Sequence, residues 1–174
     1  MKMPVIMKLT AALSFLLTIL FALLKWNTAA ITFGTICYHF TMRLLVGLIV
    51  DRIMKNRADY NHPWFQQHPW ETKLYTRLRV KKWKRWFPTY DPSLFDSQKH
   101  TYEEIAQATC QAEIVHEIIA VLSFLPLLAV TLFGSFATFG ITSLFSACFD
   151  MSFAIMQRFN RPRLIRIISK NARD

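Results

Sequence analysis

The chain has 174 residues, of which 53% are hydrophobic and 18% charged, and its formal net charge is +10. This length suits one domain, and the apolar balance is that of a small multi-span membrane protein. The excess of Lys and Arg favours anionic lipid headgroups, an acidic carrier protein or a phosphorylated substrate as partner. Basic charge can also indicate nucleic acid, but the membrane-spanning stretches described next argue against that partner.

Four apolar stretches predict transmembrane helices, because about 20 apolar residues cross the hydrocarbon core of a bilayer. They lie at about 9–26, 29–50, 114–133 and 136–157. The stretches are continuous rather than alternating, which favours helices over barrel strands. The expected fold class is therefore all-α. We expect a polytopic membrane protein with four transmembrane helices and a cytoplasmic amphipathic interfacial helix, forming a single membrane domain over 1–174.

The basic residues predict the orientation of these spans. Eleven of the 21 Lys and Arg lie between Arg52 and Lys99, and six lie between Arg158 and Arg173. Basic loops stay cytoplasmic. We therefore expect a multi-pass protein of the bacterial inner membrane, with both termini, a basic aromatic segment at 51–101 and a tail at 158–174 in the cytoplasm. Residues 1–30 fit either a retained first helix or a cleaved signal peptide.

The second span carries two polar residues one helical turn apart, His39 and Arg43. A charge inside a span usually faces the bundle or water, but a long Arg side chain can also extend to the interface. Both interpretations of Arg43 remain open from the sequence.

The segment after the second span predicts a basic helix over Glu71–Phe87, with apolar residues on one side and Lys and Arg on the other. This pattern is typical of a helix that lies in the membrane interface. Its basic patch consists of Lys81, Lys82, Trp83 and Lys84. The patch can bind anionic lipid, or it can dock an acyl donor through the phosphates of coenzyme A or through an acidic acyl carrier protein.

A capping box at Thr101 and Glu104 predicts the start of a helix that continues into the third span, where Pro126 introduces a kink. This helix carries Glu113-x-x-His116. A carboxylate one turn from a histidine can orient it as a general base, although such a pair can also be a solvated helix end. No metal site is expected, because a di-iron bundle needs a second Glu-x-x-His copy and two more glutamates.

The fourth span ends in four polar side chains, Arg158, Asn160, Arg161 and Arg163. Guanidinium groups bind phosphate, carboxylate or a developing oxyanion, although basic residues also follow most cytoplasmic span ends. Pro162 disfavours the helical conformation of Arg161, so we expect the helix to break there. The chain has four glycines and no Gly-rich phosphate loop, G-x-S-x-G elbow or H-E-x-x-H motif.

Three segments resemble the glycosyl-4,4'-diaponeurosporenoate acyltransferase family, small bacterial membrane enzymes. LRVKKWK at 78–84 resembles its aromatic-Val-Arg-Lys-Trp-Lys segment, and TCQAEIVH at 109–116 resembles Thr-x-Arg-Ala-Glu-x-x-His. QRFNRPRL at 157–164 is nearly identical to Gln-Arg-Tyr-Asn-Arg-Pro-Arg-Leu. The chain departs from the family at Gln111 and Glu117, where the family has Arg and Trp, and at Asp150 and Ser152, where the family tends to have Asn and Pro.

The resemblance implies transfer of a fatty acyl group from a thioester donor to a hydroxyl of a glycolipid or glycosylated isoprenoid. His116 would be the general base, oriented by Glu113. The substrate-binding residues would be Arg158, Asn160, Arg161, Arg163, Lys81, Lys82, Trp83 and Lys84. No cofactor is expected beyond the thioester of coenzyme A or acyl carrier protein. The sequence leaves two alternatives, a non-catalytic lipid-binding or scaffolding membrane protein and a small membrane methyltransferase.

Overall fold

The computed structural model describes residues 3–85 and 92–173, without the side chains of residues 84, 85 and 92. Every regular element in these described ranges is helical, as the all-α prediction requires. The α-helices are α1 (Met3–Leu23), α2 (Asn27–Met54), α3 (Pro69–Arg77), α4 (Tyr102–Leu122), α5 (Val130–Phe133) and α6 (Phe136–Asn171). Short 3₁₀ helices cover Pro63–Phe65, Val80–Arg85, Pro92–Phe95 and Leu125–Ala129.

The prediction of four spans is confirmed at the level of helix length and composition. Among the described residues, four helical stretches are long and apolar enough to cross a membrane, Met3–Leu23, Asn27–Met54, Tyr102–Phe133 and Phe136–Asn171. Many of their large apolar side chains are exposed, such as Leu16, Leu132 and Phe145. Exposed apolar surface on this scale is unusual for a soluble protein and suits contact with lipid.

The capping box at the start of α4 forms as predicted. The Thr101 backbone N–H donates to Glu104 Oε2 over 3.0 Å, and the Glu104 N–H donates to Thr101 Oγ1 over 3.2 Å. The third span is interrupted at Pro126, which was expected to kink it. There α4 ends at Leu122, and the 3₁₀ helix Leu125–Ala129 begins with Pro126 in its first turn.

The prediction of one helix over Glu71–Phe87 is wrong. The helix α3 ends at Arg77, and the following Arg79 has a φ of 54°. This left-handed conformation cannot continue a right-handed helix, so the chain turns and resumes as the 3₁₀ helix Val80–Arg85. Phe87 lies outside the described residues.

The prediction of a helix break before Pro162 is also wrong, since α6 runs through Pro162 to Asn171. A proline inside a helix lacks the N–H that would bond to the carbonyl four residues earlier, here that of Arg158. Arg158 and Arg161, in the turn that precedes Pro162, are both paired with the buried carboxylate of Glu113, as described below.

The chain divides into two compact units, each with parts of α2, α4 and α6. The first unit comprises Met1–Ile49 and Glu117–Met151, and it contains the apolar hairpin of α1 and α2. Arg43 in this unit pairs with Asp150 and hydrogen-bonds to Ser146, so it does not extend to the interface. The second unit comprises Val50–His116 and Ser152–Asp174 and contains the sequence-predicted site residues.

Candidate functional site

A buried cluster of opposite charges lies in the second unit, where α4 meets α6. The carboxylate of Glu113 on α4 accepts a hydrogen bond of 2.6 Å from Arg158 Nη1 and another from Arg161 Nη2. The two arginines are three residues apart, which places them on one face of α6. Both Glu113 and Arg161 have 0% exposure. Because buried charges are costly unless paired, these contacts fix the two helices against each other at this point.

Arg161 also binds a second residue of α4 and the short 3₁₀ helix Pro63–Phe65. Its Nε donates to Thr109 Oγ1 over 3.0 Å, and its Nη1 donates to the Phe65 carbonyl over 2.9 Å. The guanidinium carbon lies 5.0 Å from the centre of the Phe65 ring, within the range of a cation–π contact. Each of its three nitrogens therefore donates to a protein acceptor. In this conformation the predicted contact of Arg161 with a substrate would require the cluster to open.

Arg158 brings a second carboxylate into the cluster. Its Nε lies 2.7 Å from Glu71 Oε1, although the N–H does not point at that oxygen, and its Nη2 donates to the Gln66 carbonyl over 3.2 Å. Glu71 also accepts from the His68 backbone N–H at the start of α3, over 2.5 Å. The cluster thus contains two carboxylates, of Glu71 and Glu113, and two guanidinium groups, of Arg158 and Arg161, so that its formal charges cancel.

A tyrosine completes this arrangement on the α3 side. The Tyr75 hydroxyl donates to Glu71 Oε1 over 3.2 Å, and its ring packs edge-on against Phe159 with 6.2 Å between centroids. Burial, together with the adjacent Glu71 carboxylate, raises the pKa of the Tyr75 phenol far above its ordinary value. Tyr75 is therefore a neutral hydrogen-bond donor at physiological pH.

His116, the predicted general base, lies one turn after Glu113 on α4. Its half-buried imidazole stacks on the Phe153 ring of α6, with 4.8 Å between centroids and 13° between planes. This stacking holds the ring in one orientation. The oxygens of Glu113 accept from Arg158 and Arg161, so the predicted orientation of His116 by Glu113 remains a prediction.

Four of the other predicted substrate-binding residues lie at the surface of the second unit. Asn160, Arg163, Lys81 and Lys82 are exposed. The Trp83 indole N–H donates to the Leu78 carbonyl over 3.2 Å, which holds the turn around Arg79. The side chain of Lys84 lies outside the described residues.

A shallow concavity of about 360 Å³ borders the cluster. Phe65 lines it, together with residues that include Met54, Trp64 and Ile114. Phe65 is also the residue whose carbonyl and ring contact Arg161. The buried cluster and this mainly apolar surface therefore share one side chain. In the described part of the chain, no group of three or more His, Cys, Asp or Glu side chains is placed to hold a metal ion.

Sequence reasoning missed Glu71, Tyr75, Thr109 and Phe65. The sequence pattern indicated only that Glu71 begins a predicted interfacial helix, with no partner for its carboxylate. Its position directly after Pro69-Trp70 was a usable signal, because a glutamate at the third helical position commonly caps the helix start. Thr109 opens the TCQAEIVH segment, which was a usable signal for a role at the site. Phe65 and Tyr75 carry no local signal, because their contacts join segments that are far apart in the sequence.

These observations define an all-helical, polytopic membrane protein with a buried ionic cluster close to a histidine. A family model described as glycosyl-4,4'-diaponeurosporenoate acyltransferase matches residues 61–170. This match covers well over half of the chain, so the protein belongs to the glycosyl-4,4'-diaponeurosporenoate acyltransferase family and is an acyltransferase. Comparisons with curated proteins and with solved structures give no match.

Proposed function

We propose that the protein transfers a fatty acyl group from a thioester donor to a hydroxyl of a glycosylated isoprenoid or similar glycolipid, with His116 as the general base. The observation that carries this proposal is the setting of His116. The imidazole stacks on the Phe153 ring. It lies one helical turn after Glu113, whose carboxylate is bonded to two arginines of α6. A general base must be held within hydrogen-bonding distance of the proton that it removes. A fixed imidazole meets this requirement.

The proposed reaction needs one base and no further cofactor. His116 takes the proton of the acceptor hydroxyl as its oxygen attacks the thioester carbonyl carbon, and a C–O bond forms. The resulting tetrahedral oxyanion collapses, and the C–S bond breaks. The leaving thiolate receives the proton from the His116 imidazolium, which gives an ester, a free thiol and neutral histidine.

The buried ions have a positioning role in this proposal. Arg158 and Arg161 hold Glu113 and so fix the α4 turn that carries His116. The direct contact of these arginines with the oxyanion or with donor phosphates stays a prediction. The exposed residues Asn160 and Arg163 are better placed to meet a substrate, because their side chains reach the surface.

The donor would be acyl coenzyme A or an acidic acyl carrier protein, which the exposed Lys81 and Lys82 would dock by charge attraction. Trp83 and Lys84, which follow them in the sequence, would contribute to the same docking surface. The lipid partners and the basic loops suit a bacterial inner membrane with both termini in the cytoplasm.

The test compares lipid extracts by mass from cells that make glycosyl-4,4'-diaponeurosporenoate, with and without the protein. Wild type should produce a new species heavier by one acyl group. His116→Ala should lose this species by at least the factor of 10²–10⁴ that a general base contributes, with normal membrane insertion.

His100→Gln is the matched control, because this histidine lies before α4 and pairs with Glu104 outside the cluster. It should retain wild-type acylation. Full activity in the His116→Ala protein would remove the catalytic assignment, and an unchanged lipid profile with wild type would remove the proposed acceptor.

A further inference from the structure

A second buried polar cluster lies in the first unit, within the apolar helices. Arg43 on α2 is paired with Asp150 on α6, donates to Ser146 Oγ over 2.7 Å and donates to the His39 carbonyl over 3.0 Å. Ser123 Oγ lies 2.7 Å from Ser146 Oγ and donates to the Ile119 carbonyl over 2.8 Å. Ser146 therefore accepts from Arg43 and donates to Ser123. This part of the cluster is neutral and internally bonded.

Two further buried polar side chains on the same helices lack hydrogen-bond partners among the described residues. His39 is 5% exposed and Ser143 is 0% exposed. Neither imidazole nitrogen of His39, nor the Ser143 hydroxyl, has a hydrogen-bond partner within the described ranges. His39 contacts the edge of the Tyr38 ring, which supplies no conventional acceptor or donor to it. A buried polar group without a hydrogen-bond partner carries an uncompensated desolvation penalty, so such groups usually indicate a ligand or an ordered water.

The positions of these two side chains connect them to the ion pair. His39 precedes Arg43 by one turn of α2, and Ser143 precedes Ser146 by one turn of α6. Residues at this spacing share a helix face. The two faces meet where Arg43 contacts Asp150 and Ser146. The unpartnered groups thus extend the same polar layer on both helices.

The chemistry of these groups restricts the ligand. Neutral imidazole offers one donor and one acceptor, and a serine hydroxyl offers both on one atom. Arg43 and Asp150 already balance each other, so a charged ligand would bring an uncompensated charge among apolar helices. We propose that His39, with Ser143 on the facing helix, binds a neutral hydroxyl group that comes from an ordered water or from a lipid alcohol. This site is independent of the proposed acyl transfer.

The lipid source is tested with 1-decanol as the probe and decane as its apolar match, using the full chain in nanodiscs. If a lipid alcohol occupies the site, 1-decanol raises the Tm of the wild type in a saturable way and decane does not. His39→Phe and Ser143→Ala each reduce that shift. Thr41→Val, at an exposed position of the same helix, keeps it.

The water source is tested by solid-state NMR of protein with ¹⁵N-labelled histidine. If ordered water occupies the site, a cross-peak joins a ring nitrogen to water protons in the wild type and disappears in His39→Phe, without any specific response to 1-decanol. The proposal is overturned if neither the alcohol response nor a cross-peak that depends on His39 is found.

Discussion

At the scale of single residues, the molecule depends on buried charges that are paired. Glu113 and Arg161 have no exposed surface, and each is the other's ionic partner. Desolvation makes a buried ion pair a weak source of net stability, whereas removal of one partner costs about 3–5 kcal/mol because the other charge stays buried. The cluster is better understood as a device that positions α4 against α6 in the second unit.

Glu113→Leu should therefore destabilise the protein by about 3–5 kcal/mol, since it leaves buried guanidinium groups without their carboxylate. The double variant Glu113→Leu/Arg161→Met should lose less than the sum of the two single changes. Denaturant unfolding in micelles measures both effects. Glu103→Gln, an exposed position in the first turn of α4, serves as the control. Equal stability of Glu113→Leu and Glu103→Gln would contradict the buried-pair argument.

Tyr75 gives a prediction about alkaline pH. Its pKa in the folded protein is raised above the ordinary value of 10.0 by burial and by Glu71. The unfolded chain therefore releases this proton first as pH rises. Its contribution to folding is complete below pH 10 and falls by about 1.4 kcal/mol per pH unit above it. Unfolding free energies measured from pH 9 upward should decline more steeply for the wild type than for Tyr75→Phe, and parallel curves would refute the shift.

Asp150 shows how a carboxylate inside an apolar span is accommodated. This carboxylate, 1% exposed, would be costly among apolar helices if it were alone. Arg43, which lies outside the family-matched residues 61–170, supplies the balancing charge. The sequence displayed both charges but not their pairing, because 107 residues separate them.

At the scale of elements, backbone rules derived from short sequence patterns were correct where contacts were local. The capping box at Thr101 formed, and Pro126 interrupted the third span. The rules were wrong at Arg79 and Pro162, where a turn appeared inside an expected helix and a helix continued through an expected break. Pro162 follows a turn of α6 whose arginines, Arg158 and Arg161, are bonded to residues far away in the sequence, and such contacts are not visible in a short sequence pattern.

Pro162→Ala should stabilise α6, because alanine restores the N–H that can bond to the Arg158 carbonyl and removes the steric clash of the ring. The expected effect is a higher Tm, by an amount corresponding to no more than about 3 kcal/mol. Circular dichroism during heating in detergent measures it. Ala154→Pro, at a buried position of the same helix, should lower Tm strongly. A lower Tm for Pro162→Ala would mean that the proline itself is needed for the packing of α6.

At the scale of the whole molecule, α6 serves two chemical environments along one helix. Its 36 residues are many more than the roughly 20 that cross a bilayer core. It contributes Ser146 and Asp150 to the first unit and Arg158 and Arg161 to the second. Each unit thus builds its own buried polar cluster from this helix.

The charge distribution predicts that both termini and the basic segment 51–101 share one side of the membrane. Alkaline phosphatase, which is active only outside the cytoplasm, should be inactive when fused after residue 174. It should be active when inserted at Gly134, in the turn between α5 and α6. The reverse pattern of activities would refute the proposed orientation.

The sequence by itself determined the helical class, the four apolar spans and the family, because hydrophobic length and short motifs are local properties of the chain. It also identified Glu113, His116, Arg158 and Arg161 as unusual. Only the tertiary structure decided which charges pair, that Glu71 and Tyr75 join the cluster, and that His39 is left without a partner in the described part of the chain. Those outcomes depend on the burial of side chains from distant segments, where desolvation outweighs local preference.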